Sequence, residues 1–136
     1  MIKKVIHIIT SLILVSCDGD QSFNNKVIIN PNPSSEMAVL MRKMSMELEL
    51  IKPKLENAEN LNLLHFDSIH LHKTTDNSFN QPHIKSMSSS FAISLSKFNK
   101  NPSKANYSSI INNCLNCHQQ SCPGPISRIN RLLIEP

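Results

Sequence analysis

Three residues with metal and thiol chemistry stand close together in the run Cys114-Leu115-Asn116-Cys117-His118, which has the form C-x-x-C-H. Residues three and four apart on a helix share a face, with Cβ atoms about 5–6 Å apart. Two thiols placed in this way can add across the two vinyl groups of one porphyrin, and the neighbouring histidine can give a ring nitrogen to its iron. The spacing is therefore typical of covalent haem c attachment, with His118 as the proximal iron ligand.

Two other chemistries use similar residues. Cys114, Cys117, His118 and Cys122 would make a zinc set of three cysteines and one histidine. In that set, the adjacent Cys117 and His118 would have to converge on one ion from a continuous helix, which is an awkward geometry. A redox dithiol is the second alternative, but such C-x-x-C pairs usually open a helix in a βαβ unit, and no strand pattern is present here. The sequence favours haem over both.

The N-terminus has the pattern of an export signal. Two lysines precede an apolar stretch from Val5 to Val15, which is too short for a stable membrane span. The stretch ends in Leu14-Val15-Ser16-Cys17, which resembles a bacterial lipobox. This resemblance implies that residues 1–16 are removed and that Cys17 carries lipid, which would anchor the protein to a membrane without crossing it. An uncleaved anchor and a buried N-terminal strand are the alternatives.

Length and composition limit the remaining possibilities. The chain has 136 residues and a formal net charge of +4, with only two glycines. Loss of the signal would leave about 120 residues, which suits one domain. The positive charge is too weak to predict a nucleic-acid partner, and a β-sandwich would need more turn glycines.

The remaining sequence predicts an all-α protein. A flexible polar tether, residues 17–34, joins the lipid to a helical domain, residues 35–136. Apolar periodicity predicts helices over residues 35–51 with a kinked extension past Pro53, over 63–73, over 82–99, and from about 101 to 121. A short helical turn is expected within residues 126–134. Four helices with short connections predict a four-helix bundle, with the haem on its C-terminal long helix.

The first helix carries an apolar seam with a step of three or four residues, formed by Met37, Met41, Met44, Leu48, Ile51 and Leu55. If this helix lies antiparallel to the helix with the C-x-x-C-H motif, Met41 and Met44 come near the haem. A thioether sulfur is an accepted axial partner of histidine, although methionine also fills core gaps around irregular groups. Met44 and Met41 are therefore candidates for the sixth iron ligand or for its apolar wall.

An exported helical bundle with the haem motif on its last long helix resembles the cytochrome c prime (class II cytochrome c) family. The run from Cys117 to Pro125 also resembles that of small cytochrome-like lipoproteins of the Bacteroidetes. These resemblances imply one covalent haem c, redox proteins as partners, no enzymatic reaction, and a location in the periplasm or at the cell surface. Members of the family often form dimers through their helices, so a homodimer stays open.

Low-spin members of that family carry Arg-Lys-x-x-Met on the first helix. The run Arg42-Lys43-Met44-Ser45-Met46 resembles this motif, which implies Met46 as the iron ligand and Arg42 near a haem propionate. The apolar seam does not support Met46 as the ligand, because Met46 lies about 200° around the helix from Met44. We therefore rank Met44 first, Met41 second and Met46 third. Four histidines are further alternatives, each also explained as a solvated polar residue: His65, His70, His72 and His83.

Three functions follow from this reading. The first is a membrane-tethered electron carrier with histidine and methionine on the iron. The second is a five-coordinate haem protein that binds nitric oxide or carbon monoxide, and the third is a haem subunit of a larger electron-transfer complex. Cys122 is left over, and it is a packed thiol, a reactive group or half of an intermolecular bridge.

Overall fold

The computed structural model describes residues 33–134, and this part of the chain is all α, without strands. Its helices are α1 (Glu36–Glu56), α2 (His83–Lys100), α3 (Lys104–Ser121) and the short α4 (Ile126–Asn130). Single 3₁₀ turns occur at Ile69–Leu71 and Asn77–Phe79. The predicted signal, Cys17 and nearly all of the predicted tether lie outside these residues. None of the helices between residues 33 and 134 has the length and hydrophobicity that a membrane crossing needs.

Local signals explain where α1 begins and ends. The side-chain oxygen of Ser35 accepts a hydrogen bond from the backbone N–H of Ala38 at 3.2 Å, which satisfies one of the free donors of the first turn. The helix continues through Pro53, as predicted. It ends where Ala58 adopts a left-handed φ of 54° and the N–H of Glu59 donates to a carbonyl five residues earlier at 2.8 Å. This is a Schellman ending with alanine in the place that glycine usually takes.

The core lies between one face of α1, the inner faces of α2 and α3, and the α4 segment. It contains Leu40, Met44, Leu48, Ile51, Phe91, Leu95, Phe98, Tyr107, Ile110, Ile111, Ile129 and Leu132. Full burial of one such side chain contributes about 1.5–3 kcal/mol. The predicted seam is confirmed, because its remaining members pack against this core from partly buried positions.

Tyr107 fastens α3 to the middle of α1. Its ring is fully buried and meets Phe98 edge-on with centroids 6.2 Å apart, and its hydroxyl donates to the carbonyl of Leu48 at 3.1 Å. Burial, and then the nearby Cys114 thiol, raise the pKa of Tyr107 well above its usual range, so the phenol stays a donor at neutral pH. The contact fixes the register of α1 against the helix that carries the C-x-x-C-H motif.

The helix predicted over residues 63–73 is wrong. The segment is non-helical apart from the 3₁₀ turn at Ile69–Leu71, and it buries Leu64 and Ile69 while Leu63 stays exposed. The side chain of Asn99 accepts from the N–H of Leu64 at 3.0 Å and donates to its carbonyl at 2.8 Å. A side-chain amide on α2 thus takes over the backbone bonds that a helix would have made.

We expect Asn99→Ala to lower the free energy of unfolding by about 2 kcal/mol, because it removes two hydrogen bonds and leaves part-buried backbone groups unpaired. Urea denaturation followed by far-ultraviolet circular dichroism measures the change. Asn112→Ala is the matched control, since it removes the same amide from an exposed helical position. Equal midpoints for the two variants would contradict the role assigned to Asn99.

Polar bonds tie the α4 segment to α1. The ammonium group of Lys52 donates to the carbonyls of Arg131 at 3.0 Å and Leu133 at 2.7 Å. Arg128 makes a two-pronged contact with Glu49, with both N···O distances at 3.2 Å. Exposed pairs of this kind contribute little stability on their own, but together with buried Ile129 they fix where the tail crosses α1.

Candidate cofactor site

The C-x-x-C-H residues occupy the last turns of α3 and border two adjoining cavities. Cavity one has a volume of about 230 Å³ and cavity two about 200 Å³, and both are almost entirely apolar. Cys117 lines cavity one, Cys114 lines cavity two, and His118 lines both. The three motif side chains therefore border one continuous apolar region, with Cys117 at cavity one, Cys114 at cavity two and His118 at both.

Other elements close the two cavities. Cavity one is covered by the segment between α1 and α2, through Ile69, Thr74, Thr75 and Phe79. Cavity two is covered by the α4 segment, through Arg128, Ile129 and Leu132. Both are walled by α1, which supplies Met41 and Arg42 to each of them.

One hydrogen bond sets the chemistry of His118. Its Nδ1 atom lies 2.8 Å from the carbonyl oxygen of Cys122, which can only accept. Nδ1 therefore carries the proton, and Nε2 keeps its lone pair, with no hydrogen bond to any residue from 33 to 134. An imidazole held by a backbone carbonyl on one nitrogen and free on the other is the usual arrangement of a metal-ligating histidine.

The way in which α3 ends explains why the carbonyl of Cys122 is available to His118. The N–H of Cys122 donates to the carbonyl of His118 at 3.0 Å, and Pro123 prevents another helical turn. Cys122 has a non-helical conformation, with φ of −149° and ψ of 82°. Its carbonyl is then free of helical partners and bonds to the ring of His118.

Cys114, Cys117 and Cys122 are free thiols. Burial, and then the neighbouring Cys117, raise the pKa of Cys114 to about 12. Burial, and then Cys122, also raise the pKa of Cys117. The two motif thiols are therefore neutral at pH 7. Conversion of each into an equally neutral thioether would bury no new charge.

The geometry does not favour the two rival chemistries. In the described part of the chain, no three histidine, cysteine or carboxylate side chains are arranged to hold a metal ion, so Cys114, Cys117, His118 and Cys122 do not converge as zinc ligands would. The dithiol alternative needs a stabilised thiolate. Here the C-x-x-C pair lies at the C-terminal end of α3, where the helix dipole disfavours negative charge, and burial raises both pKa values.

The methionines of α1 differ in their position at the site. Met41 is partly buried and lines both cavities together with His118, whereas Met44 is buried in the core and lines cavity two alone. Met46 is 57% exposed and lines neither cavity, as the seam predicts. Met37 lines cavity one; the seam contained it, but the sequence analysis did not consider it as a ligand.

The four alternative histidines line neither cavity. His70 pairs with the hydroxyl of Ser88 at 3.1 Å, and His83 pairs with Ser121 at 2.7 Å. His72 lies 3.9 Å from Asp67, and His65 is exposed. These contacts account for them as polar residues of the surface and its margins.

Comparisons with protein-family models, curated proteins and solved structures find no match for this chain. Its function must therefore be argued from the chemistry of the site itself.

Three donors border the otherwise apolar cavity two. Arg42 is exposed, lines both cavities and makes no hydrogen bond to residues 33–134. Ser45 and Arg128 line cavity two. The sequence analysis missed these last two, because Ser45 has no motif around it and Arg128 reaches the site only when the tail folds back onto α1.

Proposed function

We propose that this protein is a membrane-tethered monohaem c-type cytochrome that transfers one electron at a time. The arrangement of His118 is the observation that carries the proposal. Its Nδ1 is fixed by the carbonyl of Cys122 at 2.8 Å, its Nε2 makes no hydrogen bond to residues 33–134, and Cys114 and Cys117 border the two apolar cavities that it lines. Haem c would be bonded to the two cysteines, with His118 as the proximal ligand.

The residues present fit this cofactor. Haem c, when bound, supplies an iron centre that alternates between Fe(III) and Fe(II). The chain would hold the ring through Cys114 and Cys117, orient the imidazole of His118, and exclude water with the apolar side chains of α1 and α4. Arg42 lies where a guanidinium can pair with a carboxylate of the ring.

Met41 or Met44 would supply the sixth iron ligand. Of these, we place Met41 first, because it lines both cavities with His118, while Met44 is 3% exposed and belongs to the core between the helices. This order reverses the one from the seam alone. Met46 faces away from the site.

The fold and location belong to the same proposal. α1, α2, α3 and α4 would act as a four-helix haem bundle, with α4 and the segment before α2 closing the crevice. Residues 1–16 would direct export and be removed, and lipid on Cys17 would anchor the protein to a bacterial membrane, facing the periplasm or cell surface. The tether would keep the haem near its redox partners and raise their effective concentration.

A five-coordinate haem protein that binds a diatomic gas is the second candidate. The deep burial of Met44 favours it, because a methionine packed into the core can serve as an apolar wall without binding iron. The sixth iron position would then be open to nitric oxide or carbon monoxide.

Visible absorption spectroscopy of the exported, purified protein tests the proposal. We expect a coloured product with a low-spin spectrum that carbon monoxide does not alter after reduction. A high-spin spectrum that shifts promptly with carbon monoxide would contradict the electron carrier and support the gas-binding protein. A colourless product would reject haem binding altogether.

A further inference from the structure

Ser45 has a buried hydroxyl without a partner. Its Oγ atom is the only buried side-chain nitrogen or oxygen among the described residues that makes no hydrogen bond. Other helical serines return their hydroxyl to a carbonyl of the preceding turn, as Ser89 does to Lys85 at 3.1 Å and Ser109 to Ala105 at 3.0 Å. A buried hydroxyl left unpaired is costly, so the position calls for an acceptor that the polypeptide does not supply.

The surroundings of Ser45 show what kind of acceptor would fit. Cavity two is apolar except for its thiol, its imidazole and three donors, which are Arg42, Ser45 and Arg128. Arg42 lies three residues before Ser45 and therefore on the same face of α1. Arg128 is held on that side by Glu49, which engages its Nε and Nη2 atoms and leaves Nη1 free. Two guanidinium groups and one hydroxyl suit a carboxylate.

We infer that Ser45, together with Arg42 and Arg128, binds a propionate carboxylate of the haem. This inference rests on the proposed function and adds the orientation of the ring. The vinyl edge would lie at Cys114 and Cys117 on α3, and an acidic edge would lie on the α1 side, where the three donors border cavity two. Ser45 is a positioning residue here, because it contacts a substituent of the ring and takes no part in axial ligation.

The electrostatics give the expected result of removing the hydroxyl. A hydrogen bond donated to a carboxylate stabilises its charged form and lowers its pKa, so Ser45→Ala raises the pKa of the propionate. The ionised propionate favours Fe(III), and the reduction potential therefore falls as the pH rises through that pKa. Of the charged or titratable groups that border the cavity or pair with its lining, Cys114 and His118 would be bonded to the haem, and Arg42, Arg128 and Glu49 lie on the α1 side.

Redox potentiometry of the intact holoprotein between pH 4 and pH 9 tests the inference. We expect Ser45→Ala to move the pH-dependent fall in potential upward by about one pH unit, with the absorption bands unchanged. Ser45→Thr keeps a hydroxyl and should restore the position of the fall. Ser109→Ala is the matched control, because its hydroxyl is exposed and bonded within α3.

Two results would overturn the inference while leaving the cytochrome in place. A Ser45→Ala curve that superimposes on that of the parent protein would show that the hydroxyl contacts no carboxylate. A change in spin state without a shift in the pH dependence would place the hydroxyl at the sixth position of the iron. A colourless parent protein is a separate failure, that of haem binding itself.

Discussion

Replacement of both Cys114 and Cys117 by alanine is expected to abolish haem staining of the protein band after denaturing electrophoresis. Only a covalent bond keeps the haem with an unfolded chain, and Cys114 and Cys117 are the thiols of the C-x-x-C-H motif that border the cavities with His118. Each single variant should retain at most one thioether. The alkaline pyridine spectrum, which reports how many vinyl groups remain, then distinguishes single from double attachment.

Cys122→Ala is the control for this experiment. Cys122 is also a partly buried thiol that lines cavity one, so it matches the motif cysteines in chemistry and surroundings. Its contact with His118 is made by the main-chain carbonyl, which alanine preserves. Full haem retention in Cys122→Ala is expected. Retention in the double variant, or its loss in Cys122→Ala, would contradict attachment at Cys114 and Cys117.

Met41→Ala is expected to convert the reduced protein from low spin to high spin and to allow carbon monoxide to bind. The substitution removes the thioether that lines both cavities with His118. Met44→Ala should change the stability of the protein and leave its spin state unaltered. It empties a core position and lowers the free energy of unfolding by about 2–5 kcal/mol, while the low-spin bands persist. Absorption spectra and urea denaturation of the two variants separate ligation from packing.

Met46→Ala completes the series as the matched surface control. Its side chain is 57% exposed, so we expect an unchanged spectrum and a change in stability within about 0.5 kcal/mol. Loss of the low-spin bands in Met44→Ala alone would identify Met44 as the iron ligand, as the apolar seam of α1 predicts. Loss in Met46→Ala would mean that the family motif, and not the helical seam, identifies the ligand.

The elements that sequence reasoning predicted correctly are those with local signals. The seam of α1 has a regular three- and four-residue step, and its buried members Met44, Leu48 and Ile51 are confirmed. The C-x-x-C-H motif lies on a helix that stops at Cys122, where the prolines begin. Burial, helix stops and helical spacing all depend on near neighbours in the sequence, which is why pattern analysis could find them.

The segment from residue 63 to 73 shows why other parts were not predictable. Its apolar residues are compatible with the helix predicted there, but its conformation depends on Asn99, which lies 35 positions after Leu64 in the chain. The full donor set of cavity two could not be predicted from the sequence for the same reason. Arg128 bonds to Glu49, which lies 79 positions earlier in the chain, and no local sequence pattern predicts that contact.

The hydrogen bond between the ring of His118 and the main chain of Cys122 would also affect the rate of electron transfer. A ring anchored to the end of a helix cannot swing when the charge on a bound metal changes, so its dipole is preorganised for both oxidation states. In an electron carrier, a rigid ligand of this kind keeps the reorganisation energy small. Turnover would then be governed by how often a redox partner meets the carrier in a suitable orientation.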